Sequence, residues 1–369
     1  MAENQIPLRR ALDELLGRIE PGARVIGVRR MGEDEADVGE GTAKGIGYGV
    51  SLLVEIAGSD GEPQRMVFRT NRSGQFGHDR RSDRAADALL AFDTTAGFPS
   101  HAAVVDVGAI QNNGRLESLA DTGELYFLTE YLEGRPYADD LRRIGEAGGL
   151  NELDRLRCSA LAHYLANLHA TKIDNPQGYR RAVRDLIGHG EGLFGLADSF
   201  RADAPGVPLE RLRSIEHLAV DWRWRLRGRE ARLCRTHGDF HPFNILFGEG
   251  AEPLLLDASR GCQGDPADDV ICLSVNYLFF ALEHPSACRD FLELWRIFWR
   301  AYLAKTGDNG LFETAPPYWA WRVLVLANPL WYPKAKEGTR RTLLDAAEDA
   351  LRNGHLDPAR IEELFCRKA

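Results

Sequence analysis

The spacing of hydrophobic positions predicts strands near the start of the chain and helices in its second half. Leucines between residues 8 and 19 recur at helical spacing and predict an amphipathic first helix. Apolar runs at residues 23–29, 50–56 and 65–70 predict three strands, the last two around a glycine-bounded turn at residues 58–61. We therefore expect a small antiparallel sheet with helix beside it in this part of the chain.

Helical patterns dominate the second half of the chain. Residues 151–170 begin with Asn151, which is suited to helix capping, and carry leucines at helical spacing, which predicts a central buried helix. All seven tryptophans lie in this half, and residues 291–302 show the aromatic spacing of helix packing. Most of these aromatic side chains are expected in the core, and a minority could line a pocket with acids such as Glu283 or Glu293.

The segment HGDFHPFNILF, at residues 237–247, carries polar side chains at spacings that phosphoryl transfer requires. Asp239 would lie in a short loop, and Asn244 would begin the strand that follows at residues 245–247. Asp257 would end a second apolar run. A hairpin of these two strands would bring three oxygen donors to one edge.

The chemistry of kinases explains why these three residue types matter. One carboxylate orients the attacking hydroxyl and accepts its proton, while an amide oxygen and a second carboxylate hold magnesium on the nucleotide phosphates. We therefore assign Asp239 as the catalytic base and Asn244 and Asp257 as metal ligands. Each could alone be a cap or a turn residue, and their combination favours an active site. The expected cofactor is Mg²⁺, with ATP or GTP as the phosphate donor.

The same residues resemble the catalytic segment of the aminoglycoside phosphotransferase family, small-molecule kinases of the protein-kinase-like fold, in which HGDxHxxN precedes an apolar strand and an aspartate. GDPADD at residues 264–269 is similar to the family's GDPxxD, which implies that Asp269 buttresses the catalytic loop. The resemblance implies an α+β fold of two lobes, with a small antiparallel-sheet lobe at residues 1–132 and a larger, mainly helical lobe at residues 133–369. Nucleotide is expected in the cleft between them.

Two further segments are similar to the family's nucleotide site. Residues 125–134 resemble its hinge strand, in which backbone groups around Glu130 and Leu132 would meet the adenine. The glycine-rich stretch at residues 39–49 could be a phosphate flap with Lys44 near its tip, or a flexible surface turn. Its position ahead of the hinge and the catalytic loop favours the flap.

The chain departs from the family pattern at the pair of residues that positions the phosphates. Arg69 stands on the third strand in place of the usual lysine, and Asp87 stands on the next helix where a longer glutamate is common. Arginine can still bind phosphate, with a planar fork instead of a point charge. We expect Arg69 and Asp87 to pair, and the alternative is two separately solvated charges.

Three other functions fit parts of the sequence. A nucleotide-binding, pseudokinase-like module without catalysis would explain the departures at Arg69 and Asp87, but it has no need of a proton acceptor at Asp239. A binuclear metallophosphatase could use Asp239 and His241, yet the later histidines lack the Gly-Asn-His setting that it needs. A protein kinase would carry Asp-Phe-Gly where this chain has Asp-Ala-Ser.

Composition narrows the range of partners. The net charge of −9 argues against nucleic acid, and the absence of a long apolar run argues against a membrane. The first residues lack the pattern of a secretion signal, so we expect a cytoplasmic enzyme. The expected partner is a small molecule with a hydroxyl acceptor, and the acidic balance is compatible with a cationic one. Antibiotics, amino alcohols, sugars and nucleosides all stay open, and no pattern predicts the oligomeric state.

Overall fold

The computed structural model describes residues 7–31, 49–58, 61–74, 76–258 and 260–365. It divides into two compact units, here called the N-terminal unit (Met1–Thr129) and the C-terminal unit (Glu130–Ala369). The first is built on a small antiparallel sheet, and the second is mainly helical. This confirms the predicted α+β class and its division into a sheet-based part and a helical part. The sequence placed the boundary after Leu132.

Two helices and two antiparallel sheets make up the described part of the N-terminal unit. The elements are α1 (Leu8–Ile19), β1 (Arg24–Arg30), β2 (Gly49–Ala57), β3 (Pro63–Asn71), α2 (Arg81–Thr94), β4 (Gly108–Ile110) and β5 (Leu116–Ser118). The larger sheet has the order β1-β2-β3, and Val54 on its central strand lies opposite Val28 on one side and Met66 on the other. The three predicted strands are confirmed, and β4 pairs separately with β5.

Helix α1 packs its leucine face against the larger sheet. Its leucines recur every three or four residues, so they share one face of the helix. Ile56 of β2 lies in the same apolar cluster, and the Val25 N–H donates to the Asp13 carboxylate at 2.7 Å, which ties helix to strand. Each buried large aliphatic side chain stabilises the unit by about 1.5–3 kcal/mol. The buried helix residues are Ala11, Leu12, Leu15 and Leu16.

The predicted hinge strand at residues 125–134 is wrong. No strand occurs there, and Glu130 is exposed while Leu132 is half-buried. A strand needs a neighbour that accepts and donates its backbone hydrogen bonds, and none of the described strands pairs with this segment. Regular pairing begins only at Arg135, which lies opposite Phe247.

The C-terminal unit consists of helices around two small sheets. Its elements are β6 (Arg135–Pro136), α3 (Tyr137–Ala147), α4 (Glu152–His169), α5 (Pro176–Gly188), α6 (Leu193–Asp198), α7 (Leu209–Arg225), β7 (Cys234–Arg235), β8 (Ile245–Phe247), β9 (Pro253–Leu255), β10 (Gln263–Gly264), α8 (Ala267–Glu283), α9 (Cys288–Thr306), α10 (Leu311–Thr314), α11 (Pro316–Ala327), α12 (Glu337–Asn353) and α13 (Pro358–Phe365). Strands β6, β8 and β9 form one antiparallel sheet, and β7 pairs with β10.

Helix α8 is buried more completely than α4, which the sequence predicted as the central buried helix. Helix α4 starts at Asn151, whose side chain accepts the Asp154 N–H at 2.9 Å, but Leu156, predicted on its buried face, is exposed. Helix α8 is apolar on all sides and is buried along nearly its whole length. The sequence pattern favoured α4 because amphipathic spacing is easier to recognise than uniform apolarity. No helix within the described ranges is long and apolar enough to cross a membrane.

Candidate active site

A loop between β7 and β8 carries Asp239 and Asn244, two of the residues that the sequence singled out. One end is fixed by the pairing of β7 with β10, continued by the Thr236 N–H, which donates to the Cys262 carbonyl at 3.2 Å. The other end is fixed by β8, which pairs with β9. Between them Gly238 adopts φ +84°, a left-handed conformation that glycine enters without steric cost. The turn that presents Asp239 therefore depends on the glycine before it.

Asp269 holds this loop from the first turn of α8. Its carboxylate is fully buried and accepts the backbone N–H groups of His237 at 2.7 Å and Gly238 at 2.8 Å. The Nε2 of His169 lies 3.1 Å from the same carboxylate. Burial alone would raise the Asp269 pKa, but His169 and the two N–H groups outweigh it and lower the pKa. A buried anion thus buttresses the loop, as predicted for Asp269.

Asp239 uses its two carboxylate oxygens differently. Oδ1 accepts from Nη1 of Arg322 at 2.7 Å, while Oδ2 lies 3.4 Å from the Asn244 Nδ2 and 3.5 Å from the His241 Nε2. Arg260 lies 3.8 Å from Oδ1. Burial alone would raise the Asp239 pKa, but His241 and the two arginines outweigh it, so the pKa lies below its ordinary value. Asp239 is therefore ionised at neutral pH, with Oδ2 the less tightly held oxygen.

The structure brings Asn244 to Asp239, and Asp257 lies just past the end of β9. Asn244 donates from Nδ2 to the Asp239 backbone carbonyl at 3.1 Å, and its own carbonyl accepts the Leu256 N–H at 2.9 Å. Asp257 follows Leu256 at the end of the hairpin, is exposed and adopts φ +56°. No contact joins its carboxylate to Asp239 or Asn244 in the described part of the chain.

The side chains at the hairpin end offer ligands suited to magnesium. Because Nδ2 of Asn244 faces Asp239, the amide oxygen points to the other side, and the Asp257 carboxylate is exposed. Both are hard oxygen donors, and magnesium needs only one or two protein ligands when phosphates and waters complete its shell. Among the described residues, no group of three His, Cys, Asp or Glu side chains could hold a metal. The donor set fits a magnesium ion shared with a nucleotide and does not form an all-protein cage.

The predicted phosphate-positioning pair does not form. Arg69 lies on β3 opposite Ser51 and is exposed. Oδ2 of Asp87, on α2, lies 2.9 Å from Nδ1 of His78, a residue that precedes the same helix. No ion pair between Arg69 and Asp87 occurs in the described ranges, and the predicted Lys44 lies outside them.

The two histidines of the loop support its backbone. His237 accepts the Asp239 N–H on Nδ1 at 3.2 Å, and burial lowers its pKa. His241 accepts the Phe243 N–H on Nδ1 at 3.1 Å while Nε2 approaches Asp239. His237 is thus a structural hydrogen-bonding residue, as the sequence suggested, whereas His241 also lies beside the Asp239 carboxylate.

Arg322 is the principal residue that the sequence analysis missed. It lies on α11, is 5% exposed, and donates from Nη2 to the Gly238 carbonyl at 2.9 Å and to Asp268 at 3.0 Å. Its guanidinium lies 3.9 Å from the ring centre of Trp321, which Arg260 also contacts, at 4.5 Å. Arg322 is the only charged residue of α11, and a lone charge in an apolar helix could have been recognised in the sequence.

This chain resembles several solved structures at low sequence identity. No curated protein matches the sequence. Solved structures that it resembles include a glucosamine kinase (16% identity, 94% of this chain and 93% of the other, TM-score 0.36), a macrolide 2'-phosphotransferase from Brachybacterium faecium (17%, 95% and 98%, 0.29) and a choline kinase from Cryptosporidium parvum Iowa II (13%, 96% and 99%, 0.35). Because these sequence identities and TM-scores are low, the substrates of those proteins are not assigned to this chain.

The sequence profile of the phosphotransferase enzyme family matches residues 45–304, which is more than half of the chain. This span includes the loop around Asp239, the hairpin that ends at Asp257 and the supporting Asp269. The chain therefore belongs to the phosphotransferase enzyme family, and the predicted resemblance to the aminoglycoside phosphotransferase family is confirmed.

Proposed function

We propose that this protein transfers the terminal phosphate of ATP or GTP to a hydroxyl group of a small molecule, with Mg²⁺ as cofactor. The observation that carries the proposal is the Asp239 carboxylate, kept ionised beside Asn244 on a loop whose backbone is held by a buried aspartate. The family membership supplies the reaction class, and the loop supplies a group that can act on an acceptor hydroxyl.

Asp239 would act on the acceptor hydroxyl through Oδ2. Oδ1 already accepts a short hydrogen bond from Arg322, whereas the contacts of Oδ2 to Asn244 and His241 are longer. A carboxylate with a lowered pKa is a weak base, so it would orient the hydroxyl first and accept the proton late, when the oxygen–phosphorus bond has begun to form. Most of its contribution would be positioning.

Asn244 and Asp257 would hold the nucleotide end of the reaction. A bound Mg²⁺ would neutralise charge on the phosphates. Asn244 would present its amide oxygen, fixed by the bond from Nδ2 to the Asp239 carbonyl, and Asp257 would present an exposed carboxylate from the end of the hairpin. Asn244 thereby connects the catalytic base to the metal position.

The nucleotide itself would contact the N-terminal lobe, residues 1–132. In this proposal Arg69 and Lys44 approach the phosphates, Asp87 orients Arg69 once nucleotide is bound, and backbone groups near Glu130 and Leu132 meet the base. The acceptor would bind in the helical lobe, residues 133–369, and a cationic acceptor stays compatible with the net charge of −9.

A test of this function compares two variants in one assay. A panel of hydroxylated compounds is screened for Mg²⁺-dependent nucleotide consumption, and slow hydrolysis by water is measured without acceptor. Asp239→Ala should lower turnover by about 100-fold or more while nucleotide affinity changes little. Asp257→Ala should weaken nucleotide binding in Mg²⁺ but not in EDTA. Equal turnover in the wild type and Asp239→Ala would refute the assigned base.

A second function, a nucleotide-binding pseudokinase-like module without catalysis, is favoured by one observation. Asp87 contacts His78 and not Arg69, so the pair that usually positions the phosphates is not assembled. Such a module would bind nucleotide in the same assay but show no turnover above that of Asp239→Ala. Slow Mg²⁺-dependent hydrolysis that disappears in Asp239→Ala would exclude it.

A further inference from the structure

The Asp239 carboxylate is held from outside its own loop by one residue of α11. Arg322 donates to Asp239 Oδ1 at 2.7 Å, to the Gly238 carbonyl at 2.9 Å and to Asp268 Oδ1 at 3.0 Å. Two of these three acceptors belong to the loop, and the third belongs to the first turn of α8. A single planar guanidinium therefore joins three segments of the C-terminal unit.

Two carboxylates share the Arg322 guanidinium. Asp239 and Asp268 both accept from it, and the Trp321 ring covers its face at 3.9 Å. Burial raises the pKa of Asp268, and the charge of Arg322 opposes this in part. Asp268 thus supplies a second acceptor, so that Arg322 does not depend on Asp239 alone for its partner.

We propose that Arg322 is a positioning residue that fixes Asp239 by Oδ1 and so reserves Oδ2 for the acceptor hydroxyl. This inference rests on the proposed function of Asp239. A carboxylate free to rotate would present either oxygen in many orientations, and small errors in position cost turnover steeply. With Oδ1 and the Gly238 carbonyl bound to the same guanidinium, rotation of the carboxylate would break a short hydrogen bond to a buried charge.

Arginine is suited to this position for a geometric reason. Its planar fork donates from Nη1 to the side chain and from Nη2 to the backbone carbonyl and to Asp268 at the same time. Lysine would keep the charge, but its three N–H groups diverge from one nitrogen and cannot occupy the two nitrogen positions of the fork. The Arg322→Lys substitution can therefore separate the contribution of the positive charge from that of the planar guanidinium.

The experiment measures kcat and KM for Mg²⁺-dependent ATP turnover in the full-length chain. Arg322→Gln should lower kcat by about 10- to 100-fold with little change in KM for ATP, because it disturbs the carboxylate and not the nucleotide contacts. Compared with Arg322→Gln, Arg322→Lys should restore thermal stability more fully than it restores kcat. The matched control is Arg360→Gln, which removes an exposed arginine that contacts Asp349 and should leave kcat unchanged.

A double variant separates positioning from loss of fold. Arg322→Gln leaves Asp268 without its arginine partner, so Arg322→Gln with Asp268→Asn should regain thermal stability while kcat stays low. A double variant with wild-type kcat would overturn the proposal, as would a folded Arg322→Gln protein with unchanged kcat.

Crystal structures decide the inference even where turnover fails. If the wild type shows no Mg²⁺-dependent turnover, the proposed function is lost, but the orientation of Asp239 can still be compared in the wild type and Arg322→Gln. A carboxylate that turns away in the variant supports the positioning role. A carboxylate that keeps its orientation without Arg322 overturns it.

Discussion

Two acidic side chains, one in each unit of the chain, are held in opposite ways. In the C-terminal unit the Asp269 side chain is 0% exposed and contacts His169 and two backbone N–H groups. In the N-terminal unit the Asp87 side chain is 46% exposed and contacts His78. Helix α2, which carries Asp87, has no buried residue among those described. A buried, fully bonded acid determines local structure, whereas an exposed one stays available for a ligand.

This difference predicts where substitutions act. The charges near Asp239 are bound to one another before any substrate arrives, so their removal should affect folding and turnover together. Arg69 and Asp87 do not contact one another. Under the proposed function, replacing either should weaken nucleotide binding and leave stability nearly unchanged.

The largest effect is expected from Asp269→Ala. The change leaves the N–H groups of His237 and Gly238 and the ring of His169 without their acceptor in a buried place, and should reduce the free energy of unfolding by about 3–5 kcal/mol. Denaturant unfolding measures it. A loss below about 1 kcal/mol would mean that the loop does not depend on α8.

An intermediate effect on stability is expected when the pH is lowered. The folded-state pKa of Asp269 lies below its unfolded value, so its contribution is fully present above about pH 4 and is lost as the pH falls through the lower folded pKa. The stability difference between wild type and Asp269→Asn should be constant from about pH 5 to 7 and shrink below about pH 4. Unfolding curves at stepwise pH test this, and a constant difference down to pH 2 would contradict it.

The smallest effect on stability is expected from Asp87→Ala. Removal of a half-exposed partner of His78 should change the free energy of unfolding by no more than about 1 kcal/mol. If Asp87 orients Arg69 in the nucleotide complex, KM for ATP should rise while the unfolding midpoint stays. The matched control is Asp203→Ala, an exposed acid that contacts Arg201 and should change neither quantity.

Local sequence predicted the loop around Asp239 well. The supporting role of Asp269, which lies 32 positions from His237, was predicted from the resemblance to the family. The strand at Ile245–Phe247 and the loop before it follow from residues close to one another in the chain, where short-range chemistry sets the structure. The apolar face of α1 was predicted for the same reason.

Other features depend on partners far away in the sequence and could not be predicted. Arg322 meets Asp239 across 83 positions, and neither neighbourhood indicates the other. The hinge strand was expected from the resemblance of residues 125–134 to the family's hinge, but strand formation needs a pairing edge that no local pattern supplies. Asp87 is a different case, because its partner His78 lies nearby in the sequence, and the residue pattern does not decide between His78 and Arg69.

Helix α8 connects apolar packing to the position of Asp239. Its body is enclosed on all sides, and its first turn carries both Asp269, which holds the loop, and Asp268, which meets Arg322. Removal of buried apolar carbons from its body, two in Val275→Ala or three in Leu278→Ala, would leave a cavity into which the helix can shift. Asp269 and Asp268 would then move together, and with them the loop and Arg322. Under the proposed function, a mutation that changes no polar atom would therefore lower turnover.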